Sequence, residues 1–154
     1  MDAQLPDDSP LRGQVALASA RVAYQRYVAK FSGPEWERLE QAGARRQRPL
    51  WASTGTKNPN YSDVLYVEQL VGPDVVNTMP EQTLRAFADH GGVARTLDAD
   101  PQAARQILTE LEAAEISLDA ITRELEREGV RSFCNSYREL LDCIERKLGA
   151  VGHA

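Results

Sequence analysis

The sequence predicts an α/β fold that is rich in helices and contains two short parallel strands. Two short apolar segments, residues 49–52 and 75–77, alternate with segments of helical periodicity, which is typical of parallel βα units. The chain has 154 residues, enough for one domain with a core, whereas a complete (β/α)8 barrel typically needs about 250. Because two strands do not form a stable sheet alone, we expect this pair to need further strands or a covering layer.

The composition argues against several classes of protein. Hydrophobic residues make up 42% of the chain and charged residues 27%, as in an ordinary soluble globular protein. The net charge is -5, and the densest basic run, Arg45, Arg46 and Arg48, is better explained as a solvated loop than as a nucleic-acid surface. No apolar run approaches the roughly 20 residues of a membrane span, and residues 1–10 lack the features of a signal peptide. We therefore expect a cytoplasmic protein that binds neither nucleic acid nor membrane.

The two cysteines form neither a disulfide framework nor a metal motif. Cys134 and Cys143 lie on one predicted helix, where their spacing separates them by about 13 Å along the axis, too far for a disulfide. We expect both to be free thiols, and we expect no metal site.

The first third of the chain predicts a leader and two helices. Residues 1–10 are acidic and contain proline, so we expect a flexible leader. Residues 11–31 place apolar side chains on one broad helical face, and the Ser-Gly pair that follows ends this helix. Pro34 then opens a short helix at its first position, and Gly43 ends it.

The central part predicts the two strands and the helix between them. The strand at residues 49–52 leads into a polar loop at residues 53–60. Ser62 is placed to cap the next helix, which the Gly-Pro pair at residues 72–73 ends. The second strand follows at residues 75–77.

A capping box marks the start of the next helix. Thr78 and Glu81 have the spacing at which a hydroxyl and a carboxylate satisfy the first backbone amides of a helix, which explains Thr78 by capping. We expect this helix to start at Pro80 and to end at His90, where a protonated imidazole interacts favourably with the helix dipole. Residues 93–97 are expected to be extended.

The last part of the chain predicts three further helices. Asp100, followed by proline, starts the first of them, and Ser117 caps the second, which is expected to end near Gly129. The third spans residues 132–148. Residues 149–154 are expected to form a tail.

Five motifs, in order along the chain, resemble those of a known family. They are Arg48-Pro-Leu-Trp-Ala-Ser-Thr-Gly-Thr-Lys-Asn-Pro59, Asp63-Val-Leu-Tyr-Val67, Val76-Asn-Thr-Met-Pro80, Asp89-His-Gly91 and Gly129-Val130. Over residues 11–148 the sequence resembles the C-terminal part of bacterial transaldolases, especially the branch also found fused to phosphoglucose isomerase. The resemblance implies that the chain is the C-terminal portion of a (β/α)8 TIM barrel, holding strands seven and eight and incomplete as a barrel.

The resemblance also implies an activity whose catalytic groups lie elsewhere. Transaldolases of the pentose phosphate pathway convert sedoheptulose 7-phosphate and glyceraldehyde 3-phosphate into erythrose 4-phosphate and fructose 6-phosphate. They form a Schiff base on a lysine and need no metal or organic cofactor. The family's lysine lies on its fourth strand, in a Lys-Ile-Pro-like motif that this sequence lacks. We therefore expect no catalytic residue in this chain and no activity from the chain alone.

The loop at residues 53–60 carries the candidate site. Loops after strands seven and eight of such barrels often bind phosphate. The family's phosphate site uses a serine and a basic residue after strand seven; Ser53 matches the serine, and Lys57 is the basic candidate, although many members carry an arginine closer to the serine. A Schiff-base role for Lys57 fits less well, because the amine must be neutral and a lysine in a polar loop is expected to be exposed and charged. Thr54 and Thr56 are expected to satisfy the backbone of the turn.

Three functions stay open for a sequence of this extent. The chain could be part of an enzyme that binds phosphorylated sugars once the barrel is complete. It could be a non-catalytic half-barrel that completes a separately encoded N-terminal half or acts as an interaction module. It could also be a truncated, inactive remnant. Unpaired strand edges and uncovered apolar faces further predict self-association.

Overall fold

The computed structural model describes residues 2–151 and divides the chain into two compact units, with the boundary between Ala114 and Glu115. The first unit contains both strands, and the second consists mainly of one long helix. The elements in chain order are a short 3-10 helix (Asp2–Gln4), α1 (Val15–Lys30), α2 (Pro34–Gln41), β1 (Leu50–Ala52), α3 (Leu65–Gln69), β2 (Val76–Thr78), α4 (Glu81–His90), α5 (Pro101–Ala113) and α6 (Leu118–Val151).

The two strands form a parallel pair. Leu50 lies opposite Val76, and Ala52 lies opposite Thr78, so both strands leave the pair at the same edge. The prediction of a helix-rich α/β chain with two short parallel strands is confirmed. The sheet has two strands among the described residues and does not close, so the barrel rests on the family resemblance alone.

The core of the first unit lies between α1 and the chain that flanks the strands. Its central cluster is Leu17, Tyr24, Leu70 and Leu97. Leu97 is fully buried, and burying such a side chain typically stabilises a protein by about 1.5–3 kcal/mol. Trp51 packs against this cluster, whereas its neighbour Leu50 is exposed, because successive side chains of a strand point to opposite faces.

Helix α5 packs against α1. Leu111 of α5 is fully buried. The predicted start of α5 is confirmed: Oδ1 of Asp100 accepts hydrogen bonds from the backbone amides of Gln102 at 3.0 Å and Ala103 at 2.9 Å. This contact satisfies two of the amides that the first turn of a helix leaves free.

Two residues of the segment expected to be a flexible leader, Asp2 and Leu5, are held by contacts with the rest of the first unit. Leu5 is buried. Oδ2 of Asp2 accepts a hydrogen bond of 2.7 Å from the hydroxyl of Tyr61 and one of 3.2 Å from the amide of Gly13. These contacts are made across long sequence separations, and composition carries no signal for them.

The capping box predicted at Thr78 and Glu81 is wrong. Thr78 is the last residue of β2, and its hydroxyl lies 3.5 Å from the carbonyl oxygen of Trp51. No side chain caps α4, and the Glu81 carboxylate instead accepts a hydrogen bond of 2.6 Å from Arg85 one turn later. Thr78 therefore belongs to the strand pair and not to the start of α4, where its spacing from Glu81 had placed it.

Two other local predictions are corrected. Helix α3 is only five residues long, although Oγ of Ser62 does accept from the amide of Val64 at 3.4 Å. Of the segment expected to be extended, residues 93–96 have no regular secondary structure and Leu97 lies in a turn. The amides of Thr96 and Leu97 donate instead to the carbonyl of Val71, at 3.1 and 3.0 Å.

The predicted break near Gly129 is also wrong, because α6 is continuous over 34 residues. A glycine inside a helix costs about 1 kcal/mol relative to alanine, which is too little to end a helix of this length. The predicted cap of Ser117 is confirmed, since its hydroxyl accepts from the amide of Ala120 at 3.2 Å. Cys134 and Cys143 both lie on α6 as free thiols.

Candidate phosphate-binding loop

The loop at residues 53–60 begins where β1 ends and is tied to the end of β2. The amide of Thr54 donates to the carbonyl of Thr78 at 3.3 Å. The Thr54 hydroxyl donates a hydrogen bond of 2.6 Å to Oδ1 of Asn77, and Thr54 is buried. The expectation that Thr54 only satisfies its own turn is therefore incomplete, because its side chain bonds to the neighbouring strand.

Gly55 brings the loop close to the first turn of α4. A Cβ at this position would lie 3.0 Å from Cγ of Pro80 and 3.1 Å from the hydroxyl oxygen of Thr83. Both distances are shorter than ordinary van der Waals contacts. A side chain here would require Pro80 or Thr83 to move by a few tenths of an ångström, which favours glycine at this position.

Ser53 has a backbone φ of 55°, in the left-handed region that non-glycine residues seldom adopt. Such a conformation costs of order 1 kcal/mol and persists only where its surroundings hold it. Here β1 fixes the preceding residue and the two bonds of Thr54 fix the following one. Ser53 itself is exposed, and its hydroxyl makes no hydrogen bond to other described residues.

Lys57 is exposed further along the same loop. Within the described part of the chain its ammonium makes no salt bridge or hydrogen bond. Ser53 and Lys57 thus share a loop at the carboxyl edge of the strand pair, as the sequence predicted. The expectation that Thr56, between them, satisfies the backbone of the turn is wrong, because its hydroxyl is buried and has no hydrogen-bond partner among the described residues.

His90 lies between two carboxylates at the end of α4. Its Nε2 is 2.9 Å from Oδ1 of Asp63, and its Nδ1 is 3.2 Å from Oδ2 of Asp89. The hydrogen bond to Asp63, and then that to Asp89, raises the pKa of His90 above its ordinary value, while partial loss of water around the ring opposes the shift. These contacts join the end of α4 to the start of α3 and give His90 a structural role.

Comparison with known proteins decides the family. The family model described as transaldolase/fructose-6-phosphate aldolase matches residues 1–144 of the chain. The chain belongs to this family. Its match includes the packed residues at the start of the chain as well as both strands and the loop after β1.

Curated relatives agree with the family match. A transaldolase of Parafrankia sp. (strain EAN1pec) is 49% identical over 147 residues, covering 95% of this chain and 40% of the relative. A transaldolase of Thermobifida fusca is 50% identical over 141 residues, covering 91% of this chain and 38% of the relative. The chain therefore spans about two fifths of the length of the curated relatives that it matches.

The outer edges of the strand pair are open among the described residues. β1 and β2 pair with each other and, among the described residues, with no other strand. Leu50 of β1 is 52% exposed, and an apolar groove beside it is lined by Tyr27, Phe31 and Pro49. The strand pair therefore leaves both outer edges unpaired within the described part of the chain.

Two further features are absent from the part of the chain that the structure describes. No group of three or more histidine, cysteine, aspartate or glutamate side chains in residues 2–151 is arranged to hold a metal ion. No helix in the same range is long and apolar enough to cross a membrane.

Proposed function

We propose that this chain supplies strands seven and eight, and the sugar-phosphate loop, of a transaldolase of the pentose phosphate pathway. The completed enzyme would convert sedoheptulose 7-phosphate and glyceraldehyde 3-phosphate into erythrose 4-phosphate and fructose 6-phosphate. The observation that carries the proposal is 45–50% identity, over nearly the whole chain, to proteins named transaldolase. The free thiols of the chain fit work in a reducing cytoplasm.

The chemical step belongs to residues outside this chain. The family's Schiff-base lysine acts as the electron sink and lies on the fourth strand, so that no metal or organic cofactor is required. The part of this chain is to hold the phosphate end of the sugar. Productive orientation of a substrate contributes to catalysis because it removes the entropic cost of finding the reactive geometry.

Ser53 and Lys57 would each contact the phosphate in a different way. The Lys57 ammonium pairs with the phosphate dianion as a mobile point charge, and the Ser53 hydroxyl donates a hydrogen bond to a phosphate oxygen. The left-handed backbone of Ser53 turns the chain out of β1 while Thr54 anchors it, which supports a fixed position for the serine hydroxyl. Lys57 lies farther along the loop and adapts to the substrate.

A second function, a half-barrel partner of a separately made segment, is favoured by one observation. The edges of the strand pair are open among the described residues, and Leu50 beside them is exposed. Unpaired edges and exposed apolar faces favour association with further strands. This function differs from the first in that the chain would be a non-catalytic partner of the separately made segment.

Complementation tests the proposal. The segment of Thermobifida fusca transaldolase that precedes the matched region would be co-expressed with this chain, and transaldolase activity would be measured. We expect activity only when both segments are present. Ser53→Ala and Lys57→Ala should then weaken the use of sugar phosphates far more than the use of unphosphorylated dihydroxyacetone as a donor.

The matched control is Lys147→Ala, which removes an exposed lysine from α6 and should leave both substrates equally well used. Equal losses on phosphorylated and unphosphorylated substrates would mean that Ser53 and Lys57 only maintain the loop. A soluble, well-folded complex of the two segments without activity would argue for the non-catalytic alternative.

A further inference from the structure

A cavity of about 380 Å³ lies in the first unit, between α1, α2 and the segments that enter the strands. Its apolar wall is aromatic and is formed by Tyr24, Tyr27, Phe31 and Trp36. Its rim carries charged side chains from four separate segments of the chain: Glu37, Arg46, Asp74, Arg95 and Asp98. A cavity of this size is in the range that holds small organic ligands.

The aromatic wall is continuous. The ring centroids of Tyr24 and Tyr27 are 5.8 Å apart, those of Tyr27 and Phe31 are 5.1 Å apart, and those of Phe31 and Trp36 are 4.7 Å apart at 78°. These separations are typical of interacting aromatic rings. The first three rings project from one side of α1 and its end, and Trp36 of α2 closes the row.

The positive charges at the rim are already neutralised. Nε of Arg95 donates to Oδ1 of Asp98 at 2.8 Å. Nε of Arg46 lies 3.3 Å from a carboxylate oxygen of Glu40. Each of the two guanidinium groups is thus paired with one carboxylate.

Two carboxylates at the rim stay unpaired. Asp74 and Glu37 make no salt bridge with any other described residue. Asp74 also has a φ of 58°, a left-handed conformation that aspartate and asparagine tolerate better than most residues. The net charge of the paired and unpaired rim groups is thus negative.

Negative charges also surround Tyr24 and contribute to its raised pKa. Burial is the main reason that the pKa of Tyr24 lies above its ordinary value, and the charges of Asp98 and Asp74 raise it further against the opposing effect of Arg95. The Trp36 ring already holds a cation of the chain itself, since the guanidinium carbon of Arg46 lies 5.9 Å from its centroid, so a ligand cation would have to displace Arg46 from this ring or contact the other rings.

The cavity is separate from the loop that carries Ser53. Arg46 precedes β1 and Asp74 precedes β2, so both lie toward the amino ends of the parallel strands. Ser53 follows β1 and therefore lies at the opposite, carboxyl edge. A ligand in the cavity would not occupy the position assigned to the sugar phosphate.

We propose that this cavity binds a small organic cation of the quaternary ammonium class, with the aromatic rings against its methyl groups and Asp74 and Glu37 as counter-charges. Aromatic faces attract such cations through their negative quadrupole, and desolvation strengthens the attraction. An anion would face unpaired carboxylates, and a hard metal ion would lack the shell of oxygen ligands that it requires. The inference does not depend on transaldolase activity.

Calorimetric titration of the full chain tests the proposal. Choline is the probe, and 3,3-dimethyl-1-butanol, which has the same shape without the charge, is its neutral counterpart. We expect saturable binding of choline at millimolar concentration and binding of the neutral alcohol at least about tenfold weaker, as expected for loss of the cation–π and ionic attraction. Inorganic phosphate should not compete with choline.

Variants localise the binding. Asp74→Asn keeps a residue that tolerates the left-handed backbone, removes the charge, and should weaken choline roughly fivefold to tenfold. Glu37→Gln should weaken choline in the same direction and provides a second variant if Asp74→Asn fails to fold. Glu112→Gln, an exposed carboxylate on α5, is the matched control and should have no effect.

Three results would overturn the proposal. The first is equal affinity for choline and the neutral alcohol, which would make the cavity merely apolar. The second is unchanged choline affinity in folded Asp74→Asn and Glu37→Gln, which would place binding elsewhere. The third is the absence of saturable choline binding by a chain whose circular dichroism shows it to be folded.

Discussion

The Thr54 hydroxyl donates a hydrogen bond of 2.6 Å to Oδ1 of Asn77, joining the first buried residue of the loop after β1 to the centre of β2. The Thr54 amide adds a second bond, to the carbonyl of Thr78. Ser53 lies immediately before this anchor and has a left-handed backbone. The position of the candidate phosphate-binding serine thus depends on the neighbouring strand as well as on the loop's own sequence.

Replacing Thr54 by valine should destabilise the chain. Valine has nearly the same shape but no hydroxyl, so the half-buried Asn77 would lose the partner of its side-chain oxygen. Leaving a buried polar group unpaired typically costs about 1–3 kcal/mol. We expect a loss of this size in the free energy of unfolding, measured by urea denaturation followed by circular dichroism.

Thr54→Ser provides the matched control for this prediction. Serine keeps the hydroxyl and loses one methyl group, so it should retain most of the stability that valine loses. If valine and serine lower the free energy of unfolding equally, the effect comes from packing of the methyl group and the hydrogen bond to Asn77 contributes nothing net.

Borohydride trapping should give no covalent adduct on the isolated chain. Schiff-base lysines need a neutral amine, which burial or a nearby cation usually provides, whereas Lys57 is exposed in a polar loop. The chain would be incubated with fructose 6-phosphate and borohydride, and its intact mass measured. The complete Thermobifida fusca transaldolase should gain the mass of the sugar unit under the same conditions, and an adduct on Lys57 would reverse our assignment of that residue.

Gly129→Ala should stabilise α6. A Cβ at this position would meet no atom within 4 Å beyond the neighbouring backbone of its own helix, and the glycine lies well inside a 34-residue helix. Alanine is favoured over glycine by about 1 kcal/mol in a helix interior, so amide exchange around residue 129 should slow roughly fivefold. The measurement is hydrogen exchange by NMR on the full chain.

Gly149→Ala tests whether this effect depends on position. A Cβ there also meets nothing within 4 Å, but residue 149 is close to the end of α6 at Val151, where helices fray. The exchange rates should change less than for Gly129→Ala. Unchanged protection in both variants would show that helix propensity does not limit the opening of α6.

Helix caps set by local sequence were predictable, whereas features set by pairing between distant segments were not. Asp100 and Ser117 cap helices as expected, because a cap needs only the residues that follow it. Thr78 has the spacing of a cap but lies in β2, where pairing with β1 decides its conformation. Gly129 is a residue type that often ends helices, but the helix-forming residues on both sides keep α6 continuous through it.

In the candidate site too, the positions within one loop could be predicted, and a contact between distant segments could not. Ser53 and Lys57 could be assigned to one loop because both follow the same strand. The bond between Thr54 and Asn77 spans 23 positions, and only the parallel register places the two side chains together. One signal was present: the carboxyl ends of neighbouring parallel strands meet at one edge, so polar residues there are candidates for contact.

The ionisation of His90 should make the stability of the chain depend on pH. Its pKa in the folded state is raised above the ordinary value of 6.5, first by the hydrogen bond to Asp63 and then by that to Asp89. A raised pKa means that the folded state holds the proton more tightly than the unfolded state. The resulting stabilisation is fully present below the unfolded pKa of about 6.5 and is lost as the pH rises through the folded pKa.

Variants of the two carboxylates separate the causes of this shift. Asp63→Asn should lower the pKa of His90 more than Asp89→Asn, because the bond to Asp63 is the shorter, 2.9 Å against 3.2 Å, and the larger cause of the shift. NMR titration of the imidazole protons would measure both, with His153→Ala to assign the signals of the two histidines. His90→Gln should remove the added stability below pH 6.5 and change little once the pH exceeds the folded pKa. A titration of His90 at or below its ordinary value in the unaltered chain would show that the two contacts do not hold the proton, and the pH dependence would then have another source.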